Sequence, residues 1–184
     1  MSVESFDSVL AAAQAGGGWA LAILYRELHP RVLRYLSARE PAEAEDLASE
    51  VWLDVAAAIG RFKGDEDGFR GWVFTIARRR LIDLRRRTAV RRTTPVPAEL
   101  MGGDRRIGNA EEDAIAAIET EAALARIAAL PRNQADVVFL RVLGGLSVDE
   151  VARIVHKRPG AVRALQLRAL RSLARTVPRE AVTE

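Results

Sequence analysis

The stretch Gly144–Arg175 constrains the fold more than any other part of the chain. Ser147-Val-Asp-Glu150 has the form of a capping box, in which serine and glutamate side chains satisfy each other's orphan amides and fix a helix start. Val148, Val151, Ala152, Ile154 and Val155 make that helix short and apolar on one side. His156-Lys157-Arg158 is a brief polar interruption. Pro159 then stands where a first-turn proline belongs, opening a second helix that runs to about Thr176. Such a spacing predicts a helix-turn-helix. At about 100° per residue, Val162, Leu165, Gln166, Ala169, Leu170 and Leu173 fall on one side of the second helix. Gly160, Ala164, Leu167, Arg168, Arg171 and Arg175 fall on the other, with Arg163 on a flank. Small residues near the start admit the helix N-terminus to a major groove, and arginines further on reach phosphates or guanine edges. An ordinary helical hairpin is the competing reading. The short turn, the capping box and the acid-free basic face disfavour it.

The rest of the chain also reads as helix, with no convincing period of two. Helices are expected over 4–15 and 19–38, broken by Gly16, Gly17 and Gly18, with a possible kink at Pro30. Pro41 fits the first turn of the next helix, in which Ala44, Leu47, Ala48, Val51, Val55 and Ala58 form a buried stripe ending near Gly60. A glycine-bounded loop covers 62–69. A long helix over 69–90 follows, with Val73, Ile76, Ala77 and Leu84 facing inward. Pro95, Pro97, Gly102, Gly103 and Gly108 mark a linker. Beyond it, Glu111, Glu112 and Asp113 suit a helix N-terminus, and Ile115, Ile118, Ala122, Ala125 and Ala129 are spaced for a helix ending near Pro131. A further helix covers about 133–143, stopped by Gly144 and Gly145. The fold class is therefore all-α, as two small helical domains at 1–92 and 111–184 joined by a flexible linker at 93–110.

Charge placement says what these helices meet. Net charge is only +3, yet residues 78–92 hold Arg78, Arg79, Arg80, Arg85, Arg86, Arg87, Arg91 and Arg92 against the single acid Asp83. Residues 151–175 hold seven basic residues and no acid. Basic stripes favour nucleic acid, because each phosphate contact releases counterions. Residues 40–54 are the opposite, and Glu43, Asp46, Glu50 and Asp54 cluster on one helical face around Leu53. An acidic face with an apolar centre suits a basic protein partner. Phe62 and Phe69 bound the loop, and Trp72 follows within a turn; aromatics beside a basic helix can accept unstacked bases, although Trp72 taken singly fits a core position better.

Two motif sets then carry a resemblance. Ala44-Glu-Asp-Leu-Ala-Ser-Glu-Val-Trp52, Phe69-Arg-Gly-Trp-Val-Phe-Thr-Ile-Ala-Arg78 and Leu81-Ile-Asp-Leu-Arg85 resemble regions 2.2 through 2.4 of extracytoplasmic-function (group 4) sigma factors of the sigma-70 family. Leu130-Pro-Arg-Asn-Gln-Ala-Asp-Val-Val-Phe-Leu-Arg141, Gly145-Leu-Ser-Val-Asp-Glu-Val-Ala152 and Gly160-Ala-Val162 resemble region 4. The resemblance implies a promoter-specificity factor for core RNA polymerase. Asp46, Glu50, Leu53 and Asp54 would dock on the β′ clamp helices. Phe62, Lys63, Phe69 and Trp72 would receive an unpaired base of the −10 element, while Arg79, Arg86 and Arg87 hold the backbone. Arg158, Gly160, Ala161, Arg163, Ala164, Leu167 and Arg171 would face the −35 element, and the apolar surface of that unit would touch the β flap. An anti-sigma factor is an expected further partner. The family often has Asn at Arg79, usually Gly at His156, a basic residue at Leu165 and an apolar one at Gln166. These departures imply an unusual −35 preference.

Other classes fit less well. A repressor or activator that works without the polymerase core leaves the acidic face and the aromatic loop unexplained. An enzyme would have only His29 and His156 as imidazole bases, with no partner set and no P-loop. The absence of cysteine removes disulfides, thiolate metal sites and thiol catalysis. No cofactor or metal is expected, and no membrane partner, because no apolar run approaches the ~20 residues of a span. The N-terminus lacks a signal-peptide pattern, so the expected location is the cytoplasm.

Overall fold

The computed structural model describes residues 5–91 and 121–176, and every regular element among them is helical. The chain divides into two compact units, residues 1–100 and 101–184. The expected domain boundaries at 92/93 and 110/111, the linker, and Ile115 and Ile118 lie outside the described residues.

In the first unit, α1 (Phe6–Gln14) begins at Ser5, whose hydroxyl accepts the Ser8 amide. Helix α2 (Gly18–Ser37) runs on through Pro30. Pro41–Glu43 forms a 3-10 turn that leads into α3 (Ala44–Ala58). A second 3-10 turn, Ile59–Arg61, ends that helix. Helix α4 (Glu66–Arg91) completes the unit. It starts three residues earlier than the sequence pattern suggests. The Asp65 carboxylate accepts the Gly68 amide at 2.8 Å, and Glu66 and Asp67 complement the positive helix end. The aromatic loop is accordingly short, at 62–65.

Helices α2, α3 and α4 pack against one another around Tyr35, Leu36, Val51, Val55, Val73, Phe74 and Leu81. Tyr35 and Phe74 meet edge-on at 5.7 Å between ring centroids. The α3 stripe is buried from Ala44 to Val55, whereas Ala58 is half-exposed. On α4 the buried positions are Phe69, Val73, Phe74, Ile76, Ala77 and Leu81. Leu84, one turn further, is only half-buried because the helix is by then leaving the core.

In the second unit a helical segment, α5, covers 121–128, with Ile127 buried and Ala122, Ala125 and Ala129 exposed. The inward stripe is thus one or two residues away from the alanine spacing. Helix α6 (Arg132–Val142) buries Ala135, Val137, Val138, Phe139 and Leu140, nearly all of its circumference, so it is the centre of this unit. At its end a Cβ on Gly144 would stand 2.5 Å from the Leu140 carbonyl oxygen, which only glycine avoids. Helix α7 (Val148–Val155) carries the complete capping box: the Glu150 carboxylate accepts the Ser147 amide at 2.6 Å, and the Ser147 hydroxyl accepts the Glu150 amide at 3.2 Å. Helix α8 (Pro159–Ala174) packs on both α6 and α7.

The turn between α7 and α8 is held by a left-handed residue. His156 has φ 54° and ψ 48°, and the Lys157 amide reaches back to the Ala152 carbonyl at 2.9 Å, closing a Schellman motif. A side chain in this conformation is strained where glycine is not. His156→Gly is therefore expected to stabilise the second unit by about 1 kcal/mol. A rise in the denaturant midpoint at unchanged slope checks it.

Candidate nucleic-acid interface

Packing of α3 against α4 sets the acidic face of one beside the basic block of the other. The Arg80 guanidinium grips Asp54 as a fork, Nη2 donating to Oδ1 at 2.5 Å and Nε to Oδ2 at 2.7 Å. Its Nη1 donates to Glu50 at 3.1 Å. Arg79 donates to the same Asp54 Oδ2 at 2.9 Å. One turn on, Arg85 Nε donates to Glu40 at 2.7 Å, tying α4 to the connection between α2 and α3. Arg79 and Asp54 are therefore partners of each other in this conformation, one from the expected DNA set and one from the expected polymerase set. Arg86 and Arg87 are exposed; Arg86 lies 3.8 Å from the Asp83 carboxylate, and Arg87 Nε donates to the Asp83 main-chain carbonyl at 3.4 Å. They are the arginines of this set best placed for phosphates.

The Arg80 fork holds the Asp54 carboxyl below its ordinary value; partial burial opposes this, and Arg79 adds to it. A depressed folded-state pKa contributes stability that is present above the unfolded value and is lost as pH falls through the folded one. Asp54→Asn is expected to destabilise the first unit by about 1–2 kcal/mol at pH 7, between the values of exposed and fully buried pairs. The difference from the parent chain shrinks below about pH 4 and vanishes once Asp54 itself is protonated. Urea unfolding at neutral pH and at successively lower pH measures both arms.

The aromatic loop is a cluster, and its members have different roles. Phe69 is 1% exposed, enclosed by Phe6, Phe62 and Trp72 at ring-centroid distances of 5.8, 5.4 and 5.7 Å. The expectation that Phe69 receives a base is corrected: the helix start at Glu66 turns it into the core. Phe62 and Trp72, 5.1 Å apart, are half-buried and lie over it. Lys63 is exposed next to them. Gly64 has φ +155°, and a Cβ there would come within 3.0 Å of the Phe62 ring.

On the acidic face, Asp46 and Leu53 are exposed, Leu53 by 70%, and Glu50 is half-exposed. Residues 46, 50, 53 and 54 share a side at spacings of four, seven and eight. Sequence reasoning missed Tyr25 of α2, which is part-exposed, stacks on His29 at 4.4 Å and leans on Trp52 at 4.9 Å. Its pairing with His29 one turn on was a readable signal, but its approach to α3 was not.

In the second unit Arg158, Gly160, Ala161, Arg163, Leu167 and Arg171 are exposed along α8, and Ala164 is half-buried. Leu165 is buried at 6%, in the stripe with Val162 and Ala169. Its departure from the family's basic residue therefore belongs to the core and does not alter an outward reading face. Leu170, expected inward, is 50% exposed, because it lies 100° around from Ala169 and off that stripe. Among the described residues no cluster of histidine and acidic side chains could hold a metal ion.

A capped, basic-faced helix-turn-helix is the form of a DNA-reading domain, and here it shares a chain with a second helical unit that bears an acidic face. Comparison with known proteins narrows that class. Residues 24–91 match Sigma-70 region 2, and residues 120–173 match Sigma-70 region 4. The ECF RNA polymerase sigma factor ShbA of Streptomyces griseus is 37% identical, over 88% of this chain and 89% of its own. BldN of Streptomyces coelicolor, also an ECF RNA polymerase sigma factor, is 35% identical over 92% of this chain, which spans 64% of BldN's length. The solved structure of CnrH in complex with the cytosolic domain of CnrY has the same fold, with TM-score 0.64 at 19% identity over 95% of this chain and 97% of that one. The chain belongs to the extracytoplasmic-function sigma factors of the sigma-70 family.

Proposed function

We propose that this chain binds core RNA polymerase and directs it to a specific set of promoters, acting as an initiation factor with no enzymatic step of its own. Residues 1–92 form the polymerase- and −10-binding unit, 93–110 the linker, and 111–184 the −35-binding unit. The observation that carries this reading is Leu53, 70% exposed on α3 between the acids Glu50 and Asp46 on one side and Asp54 on the other. An exposed leucine ringed by acids is an anchor for a basic, partly apolar partner. We assign it to the β′ clamp helices, with Tyr25 at its edge. The outward arginines and small residues of α8 face the −35 element, and exposed Val142 and Leu170 supply an apolar patch for the β flap. Phe62, Lys63 and Trp72 receive an unpaired base of the −10 element, and Arg86 and Arg87 hold its backbone.

The CnrH structure contains a partner, the cytosolic domain of CnrY. An inhibitor that covers the same two faces is proposed here as well, and Leu53 and Leu170 are what it would hide. No described helix is long and apolar enough to cross a membrane. With polymerase and promoter DNA as its proposed partners, the location proposed for this chain is the cytoplasm.

Run-off transcription tests the reading, with bacterial core polymerase and duplex templates randomised across both promoter elements. The purified chain is expected to enrich a defined pair of elements. Transcription no better than with core alone sinks the proposal. Tight operator binding by a polymerase-free form of the chain would favour a simple repressor or activator instead.

A further inference from the structure

The loop that carries Phe62 and Lys63 is held from an unexpected direction. Gln14, the last residue of α1, extends its side-chain amide to two backbone carbonyls 45 and 48 residues further on: Nε2 donates to Ile59 O at 3.1 Å and to Phe62 O at 2.8 Å. Both N–H groups of the amide are thereby used. These carbonyls stand at the two ends of the turn that terminates α3, where backbone acceptors run short of intrahelical donors. Ile59 O also accepts the Phe62 amide at 3.0 Å, so Gln14 fastens both ends of one turn. Beyond it, among the described residues, no backbone hydrogen bond engages Lys63 or Gly64. Helix α1 itself packs on the Ile59–Arg61 turn, and its Phe6 ring contacts Phe69 beneath the loop.

We propose that Gln14 is a positioning residue for the reading of unpaired promoter DNA, and that α1 is the brace through which it acts. The inference rests on the function proposed above. It adds a residue and a helix that lie outside the segment matching Sigma-70 region 2, which begins at residue 24. Gln14 is exposed, so the contact does not serve the core. Its effect is to fix the Phe62 carbonyl and, with it, the direction in which the Phe62 ring and the Lys63 side chain leave the chain. A base taken from the stack needs a receiving surface already in place, because any ordering at the moment of binding weakens it.

The test uses the full chain assembled with core polymerase and a randomised single-stranded DNA pool. Gln14→Glu keeps length and shape but sets a carboxylate against two carbonyls; Gln14→Ala removes the reach. Both variants are expected to keep the parent's thermal midpoint within a few degrees, its affinity for core and its binding to duplex −35 DNA. Both are expected to bind the selected single strand about 10-fold more weakly and to show a flattened base preference nearest the loop. Unchanged single-strand affinity and preference would overturn the role. So would a loss shared equally by core binding and −35 binding, which would make Gln14 a general support of the fold. If the parent holoenzyme selects no sequence at all, the function reading itself falls, a result separable from any behaviour of the variants.

Discussion

Phe69→Ala is expected to lower the stability of the first unit by about 3–5 kcal/mol, and its thermal midpoint by roughly 15 °C or more. The ring is fully enclosed and supports Phe62 and Trp72 from beneath, so its removal leaves a cavity at the junction of α1, the loop and α4. Every activity of that unit should fall together. Phe62→Ala is the contrasting variant. Its ring is half-buried, so the fold survives, while stacking worth about 1–3 kcal/mol per base is lost from single-stranded DNA binding. Thermal unfolding followed by circular dichroism, run beside a single-strand binding assay, separates the two. If Phe69→Ala unfolds like the parent and Phe62→Ala does not, the core and surface assignments are reversed.

Leu53→Arg is expected to weaken assembly with core polymerase by about 50-fold or more without changing stability beyond about 0.5 kcal/mol. The side chain is largely in water, so folding gains little from it. A guanidinium there removes the apolar anchor, partly neutralises the acids Glu50 and Asp46, and repels a basic partner. Direct affinity measurement with purified core checks it, and duplex −35 binding by the isolated chain serves as the unaffected control. Core affinity within a factor of two of the parent would remove Leu53 from the interface and with it the main support for the docking assignment. Asp54 is a poorer probe of the same face. Its carboxylate already holds Arg79 and Arg80, so its substitution disturbs the α3–α4 packing as well as any contact with a partner.

Much of the fold was legible because its signals are local. The Ser147–Glu150 box, the first-turn Pro159, the Gly144 stop and the three-and-four spacing of α3 each involve residues within a turn or two of one another. Each appears in the structure where the sequence places it. The start of α4 was misplaced although its signal was present. Asp65 with Glu66 and Asp67 spells an N-terminus, but Gly68 inside the first turn reads as loop. The site was legible only as far as exposure follows helical phase. The outward residues of α8 and Leu53 on α3 follow from the 100° step, and Leu170, at the margin of its stripe, shows where that step stops deciding.

The sequence alone determined the helices, their caps, the two basic blocks and the acidic face, because propensity, periodicity and capping act over a few residues. Only the tertiary structure decided which charges face each other and which aromatic is covered. Arg79 and Arg80 meet Asp54 across 25 and 26 residues, and Gln14 meets Phe62 across 48. No local pattern encodes such pairs. They exist because burying the α1, α3 and α4 stripes brings their flanks together, and the polar groups along those flanks then take the partners that packing supplies.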